Sequence, residues 1–180
     1  MKITWNELTI NPDGLDFDAL LEEWRWLVPE TMSPVVVSAL GDLFLVDADD
    51  SVYWLDAGAG QLSQVADSPA EFQQLMQQPE NADEWFIPQL IGDLIQSGAV
   101  LEPGQCYSCD IPPGPGGEFT VENVKPTDML VHFSMFGQIF FQTKDLPPGT
   151  RIDNITFGDA WRADSWPEYN PRPSMHRSLR

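Results

Sequence analysis

Apolar positions set the first expectation, because their spacing changes along the chain. In FDALLEEWRWLV, Phe17, Leu20, Leu21, Trp24 and Leu27 recur every three or four residues. That spacing predicts an amphipathic helix with Asp16 as its N-cap and Pro29 as its stop. The next stretch, GDLFLVDADDSVYWLDAGAGQLSQV, changes character. Short β-branched and aromatic runs at Leu43–Val46, Val52–Leu55 and Leu62–Val65 are separated by Asp49-Asp50 and by Ala57-Gly58-Ala59-Gly60, which predicts three consecutive antiparallel strands.

Helical signals then return. Ser68-Pro69-Ala70-Glu71 places a hydroxyl at the N-cap, Pro at the first helical position and Glu at the third, opening a helix to about Gln77. A further helix is expected from an Asn81 cap to a left-handed stop at Gly98, with Pro88 in its early turns and Trp85, Phe86, Leu90, Ile91, Leu94 and Ile95 on its apolar face. QCYSCDI reads as a strand, the PPGPGG run as an irregular loop, and EFTVENV as renewed extended structure. Residues 128–142 fit two templates. Val131, Phe133 and Met135 alternate as in a strand, whereas Leu130, Phe133, Gly137 and Phe140 fit a helix capped by Thr127; helix is the preferred reading. Residues 145–150 form a turn, and Arg151 to Phe157 is expected to be a last strand.

The sum is an α+β fold, an antiparallel meander packed with several helices. No internal repeat divides it. Residues 1–160 read as a single domain, with 1–35 as an N-terminal helical segment and 161–180 as an extended C-terminal arm. An apolar fraction of 42%, with seven Trp, ten Phe and three Tyr, supplies a core, and 21% charged residues is too few for a solvated disordered chain.

Charge narrows the partners. The chain has 28 acidic and 9 basic residues, a formal balance of -19. Residues 1–100 hold 18 of the acids but only Lys2 and Arg25, so their balance is -16, against -3 for residues 101–180. Such a surface repels phosphate backbones and anionic lipid headgroups, which argues against nucleic acid and membrane partners and favours a basic protein. No apolar run approaches the roughly 20 residues of a membrane span, and the opening MKITWNELTINPDG lacks a secretory core, so a cytoplasmic location is expected. Cys106 and Cys109 are too few for a disulfide framework.

Candidate chemistry is thin. A structural zinc needs four soft ligands, and Cys106 and Cys109 have only His132 and His176 to join them, at spacings unlike a finger. The cysteines read as strand residues, one of them buried, and His132 as a core histidine. DADDSVYWLDAG lacks the central Gly and distal Glu of a calcium loop. PGPGG lacks the Lys-Ser or Lys-Thr of a phosphate-binding loop, and no Gly-x-Ser-x-Gly elbow occurs. No cofactor or metal is expected, and the chain reads as a non-enzyme. The sharper use of the first hairpin is as a docking surface, with Asp47, Asp49, Asp50 and Asp56 forming a charged rim around Tyr53 and Trp54.

Several strings carry a resemblance: WRWLVP, GDLFLVDADDSVYWLDAGAGQL, VADSPAEFQQLM, LEPGQCYSCDIPPGPGGEFTVENV and FGQIFFQTKDLPPGTRI. From about Trp24 to Ile155 the chain resembles bacterial proteins with the type VI secretion immunity C-terminal domain, which often follows a GAD-like N-terminal segment. That family is similar to the SUKH group of immunity proteins, which implies a SUKH-like α+β fold. The resemblance also implies stoichiometric inhibition of a cognate toxin, commonly a nuclease. No catalytic motif transfers. Gly41, Gly58, Gly137 and Gly149 look like backbone positions, and Trp24, Phe44, Trp54 and Phe72 like core. The alternative is a regulatory or scaffold protein of the same fold, holding a peptide or small ligand in a groove beside the sheet. Oligomeric state stays open.

Overall fold

The computed structural model describes residues 2–113, 116–147, 149–152 and 154–157. It divides into two units, Met1–Thr150 and Arg151–Arg180. Among the described residues of the second unit, 151–157, no strand forms where one is expected. The predicted arm at 161–180 lies outside the described residues.

The first unit opens with helix α1 (Trp5–Leu8), started by a capping box between Thr4 and Glu7. Helix α2 (Phe17–Leu21) starts as the sequence predicts, with the Asp16 side chain accepting from the Ala19 N–H. It ends early. A 3-10 turn, Glu22–Trp24, follows directly, and the chain coils on until Val28 is fully buried. The cause is non-local: the Trp24 indole N–H donates to the Phe133 carbonyl at 2.9 Å, which fixes where Trp24 must sit.

A four-stranded antiparallel sheet comes next, in the order β1-β2-β3-β4. Strands β2 (Leu43–Val46), β3 (Val52–Asp56) and β4 (Gln61–Ala66) are the predicted meander. Strand β1 (Ser33–Val37) precedes them and is an addition to the sequence reading. Its Pro34 is tolerated because β1 is an edge strand, and the ladder to β2 shifts register between Pro34 and Val36. Phe44 faces Trp54 and Leu43 faces Leu55 across β2 and β3. Leu43, Phe44, Leu45 and Leu55 are all fully buried, so both faces of the central strands are covered, which explains the unbroken LFLV run.

Helix α3 (Pro69–Leu75) has the expected Ser68 cap, whose hydroxyl accepts from the Glu71 N–H. The single helix expected from Asn81 to Gly98 is in fact two, α4 (Pro79–Phe86) and α5 (Pro88–Gln96). Ile87 between them adopts φ 42°, a left-handed conformation, next to a proline that disfavours the right-handed helical one. Asn81 caps neither helix; its amide donates to the Leu75 carbonyl at 3.0 Å. Phe44 packs against Phe72, Trp85 and Phe86 at centroid distances of 4.8, 5.5 and 5.5 Å, an aromatic cluster that joins sheet to helices.

Strand β5 (Gln105–Cys109) pairs with β6 (Val124–Asp128) in a second, two-stranded sheet. The extended segment expected at 118–124 thus begins later, and includes Pro126 on a strand with a single partner. The Tyr107 N–H donates to the Ala39 carbonyl at 2.7 Å and ties the second sheet to the first. Helix α6 (Met129–Thr143) resolves the ambiguous stretch. Its cap is Asp128, not Thr127; the carboxylate accepts from the Leu130 and Val131 N–H groups. Nine of its residues are buried, which is why its apolar pattern satisfies two templates at once. Gly137 is required there, since a Cβ would stand 2.7 Å from Glu23 Cβ and 2.8 Å from the Glu23 carbonyl oxygen.

Candidate functional site

The six residues proposed for docking lie on one hairpin but in three places. At its tip, Asp47 spends one carboxylate oxygen on the turn, accepting from the Asp49 and Ser51 N–H groups at 2.9 Å each. Asp50 adopts φ 64°, a conformation that Asp tolerates better than most residues. Asp49 and Asp50 are exposed. Tyr53 shares this end: partial burial, then the charges of Asp47 and Asp49, hold its phenol above the ordinary value.

Trp54 is the next residue of the same strand, so its side chain takes the opposite face. It stacks on Phe44 at 6.3 Å and meets Trp85 at 6.5 Å, which places it in the aromatic cluster. Asp56 sits at the far end of β3, about four residue rises or ~13 Å from Val52. Its carboxylate accepts from the Ala59 N–H at 2.8 Å and shapes the β3–β4 turn. Burial is the main cause that raises its pKa, with the Glu84 charge adding to it.

A second cluster, buried, is not apparent from composition. Asp42 is only 7% exposed. Its Oδ1 accepts from the Ala57 N–H at 2.9 Å, and its own N–H donates to the Ser38 hydroxyl at 3.0 Å. Burial, then the neighbouring Asp56 carboxylate, push Asp42 up to about 8. The Trp54 indole N–H opposes this from nearby without an aligned hydrogen bond. Among the described residues no cation offsets the group. The only sequence hint is an acid directly after Gly41, just before an apolar run.

Cys106 and His132 both lean on Gly41: a Cβ there would stand 2.5 Å from His132 Nε2 and 3.0 Å from Cys106 Sγ. The imidazole Nδ1 pairs with the Ser108 hydroxyl at 2.8 Å, while Nε2 is buried without a partner among the described residues. An activated cysteine–histidine pair needs a thiolate beside an imidazolium. Burial drives these two the other way, raising the Cys106 thiol well above its ordinary value and lowering His132 to about 4. Both are neutral near pH 7. Cys109 is also buried, so both strand cysteines are enclosed where one was expected. Among the described residues no group of three His, Cys, Asp or Glu side chains could hold a metal ion, and no helix is long and apolar enough to cross a membrane.

The whole acidic excess lies within the first unit. Residues 1–150 hold 24 acids and four bases, a balance of -20, while 151–180 come to +1. Three of those four bases are already engaged, Arg25 with Asp18 at 2.8 Å, Lys144 with Asp145 at 2.6 Å, and Lys125 with Asp110. The unit therefore presents carboxylates with few internal counter-charges.

Fold and site together define an acidic α+β protein whose buried titratable groups are held in neutral forms. The family described as T6SS immunity protein Tdi1, C-terminal, matches residues 66–140, 75 of the 180 residues, from the end of β4 into α6. That match to a family of type VI secretion immunity proteins agrees with the resemblance over this segment, which holds the strings from VADSPAEFQQLM to LEPGQCYSCDIPPGPGGEFTVENV in whole or large part. Among solved structures it is similar to Atu4351 from Agrobacterium tumefaciens, with 16% identity and a TM-score of 0.47 over 72% of this chain. The chain spans 65% of the length of that protein. No curated protein matches the chain.

Proposed function

We propose that this chain is a cytoplasmic, non-catalytic immunity protein that binds a cognate basic toxin and neutralises it by stoichiometric occlusion. A nuclease fits the toxin's role best, because a cleft built to hold phosphates is basic and attracts a carboxylate-rich surface. The observation that carries the reading is the balance of -20 over residues 1–150, combined with the family match at 66–140. The neutral, enclosed states of Cys106 and His132 support inhibition without catalysis.

The exposed tip residues Asp49 and Asp50, with Asp47 and Tyr53 behind them, contribute to electrostatic steering in this proposal. Trp54 and Asp56 act indirectly, by fixing the strand and the turn from which the charges project. Co-expression with the toxin gene adjacent to its own tests the reading: the toxin should lose its growth effect and co-purify in fixed ratio with the full chain. Association should slow about tenfold or more between low and physiological salt, as steered encounters do. Continued toxicity despite high expression of this chain refutes the proposal; salt-independent association refutes its electrostatic part.

A further inference from the structure

A groove of about 580 Å³ runs between the N-terminal segment and the connection from α5 to β5. That volume lies within the ~300–1,000 Å³ usual for binding clefts. Ile10, Leu15, Ile95 and Leu101 give it apolar walls. Val100 on its lining is 69% exposed, the largest exposure of any large apolar side chain among the described residues. The Tyr107 hydroxyl donates to the Ala99 carbonyl at 2.9 Å and pins the connection in place.

Three carboxylates, Glu7, Asp13 and Glu102, share this lining, and among the described residues no Lys or Arg does. Glu7 is held ionised, since the Thr4 hydroxyl and N–H both donate to it, at 2.6 and 2.7 Å. Asp13 and Glu102 are exposed. Apolar walls with an anionic rim suit one side-chain chemistry in particular. The aliphatic stem of Arg or Lys lies against Ile and Leu, while its charged head reaches carboxylates at the edge.

We infer that this groove is a docking site for an extended, arginine- or lysine-bearing apolar segment of the basic partner. The inference rests on the proposed basic toxin and deepens it by naming a second contact surface, separate from the hairpin tip. The groove engages the segment by its stems, and the rim selects its charge.

The test uses the full chain, labelled with nitrogen-15, and acetyl-Leu-Arg-Leu-Arg-Leu-amide as probe, with the glutamate analogue as control. Saturable amide shifts at Leu15, Ile95, Val100 and Leu101 are expected, with the glutamate peptide at least about tenfold weaker. Val100→Arg with Glu102→Lys should weaken the arginine peptide about tenfold; Asp13→Asn, a milder change, should weaken it severalfold if the double variant fails to fold. Absent shifts, equal shifts with both peptides, or shifts confined to Asp49 and Asp50 overturn the inference. So does a folded double variant that neutralises the adjacent toxin with unchanged affinity, an outcome that leaves the immunity reading intact. If wild-type chain fails to neutralise that toxin, the immunity reading falls, and the peptide shifts alone decide the groove.

Discussion

Replacing Asp42 with asparagine should change how stability depends on pH more than it changes stability itself. In the folded chain Asp42 is enclosed beside Asp56, Cys106 and Cys109 with no described cation to offset it, and its pKa rises from 3.8 to about 8. Between those values the folded state holds a proton that the unfolded chain has released. Stability from this group is therefore fully present below pH 3.8 and is lost as pH rises toward 8, at about 1.4 kcal/mol per unit. His132 works in the opposite sense. Its pKa falls from 6.5 to about 4 on burial, so the unfolded chain binds the extra proton and stability is lost as pH drops through that window.

The slopes of these two groups cancel from about pH 4 to 6.5, and of the two only the Asp42 loss remains from 6.5 to 8; the raised pKa of Asp56 adds a loss of the same sign as that of Asp42. Over those roughly 1.5 units the wild-type chain should lose about 2 kcal/mol. The asparagine amide mimics the protonated acid and keeps an oxygen for the Ala57 N–H. The Asp42→Asn chain should thus stay level from about pH 6.5 to 8, and should expose the His132 slope below that range as a loss of about 3 kcal/mol by about pH 4. Urea unfolding followed by tryptophan fluorescence, at about five pH values spanning this range, measures both curves. Parallel curves for the wild-type and Asp42→Asn chains would refute the reasoning.

Three further outcomes follow from packing. Gly137→Ala should lower the thermal midpoint by several degrees: the methyl meets Glu23 main chain at 2.8 Å, and an overpacking cost of about 1–3 kcal/mol outweighs the ~1 kcal/mol that Ala gains over Gly in an ordinary helix. Trp24→Phe loses the indole hydrogen bond to Phe133 and part of a fully buried ring, and should cost about 2 kcal/mol in urea unfolding. Cys106 and Cys109 should resist an aromatic disulfide reagent at mildly alkaline pH in the native chain and react fully in denaturant, because burial raises both thiols, Cys109 to about 12. Rapid native labelling of either cysteine would contradict the described core.

The meander is legible in the sequence because its signals are local: the apolar, β-branched and aromatic runs LFLV and VYWL, and turn residues at Asp49-Asp50 and Gly58-Gly60, lie within a few residues of one another. The same holds for the Asp16 and Ser68 caps. Features set by distant partners are not. Helix α2 stops at Leu21 because Trp24 is claimed by Phe133, 109 residues away. The break at Ile87 has Pro88 as its cue, yet nothing in an isoleucine announces a left-handed backbone. In the candidate site, the acids at the hairpin tip are legible, but grouping Tyr53 with Trp54 overlooks that neighbours on a strand face opposite sides. Asp42 reads as one more surface acid until β5 closes over it.

The hydrogen bond from Trp24 to the Phe133 carbonyl also has a temporal meaning. The 3-10 turn that carries Trp24 is synthesised well before α6, which receives it and ends only at Thr143. Until that helix leaves the ribosome, Trp24 and the neighbouring α2 leucines lack a principal partner, and loop-closure entropy must be met before the contact forms. Closure of this core thus waits for α6, and in the proposed role protection starts when α6 docks, not when the acidic hairpin first appears.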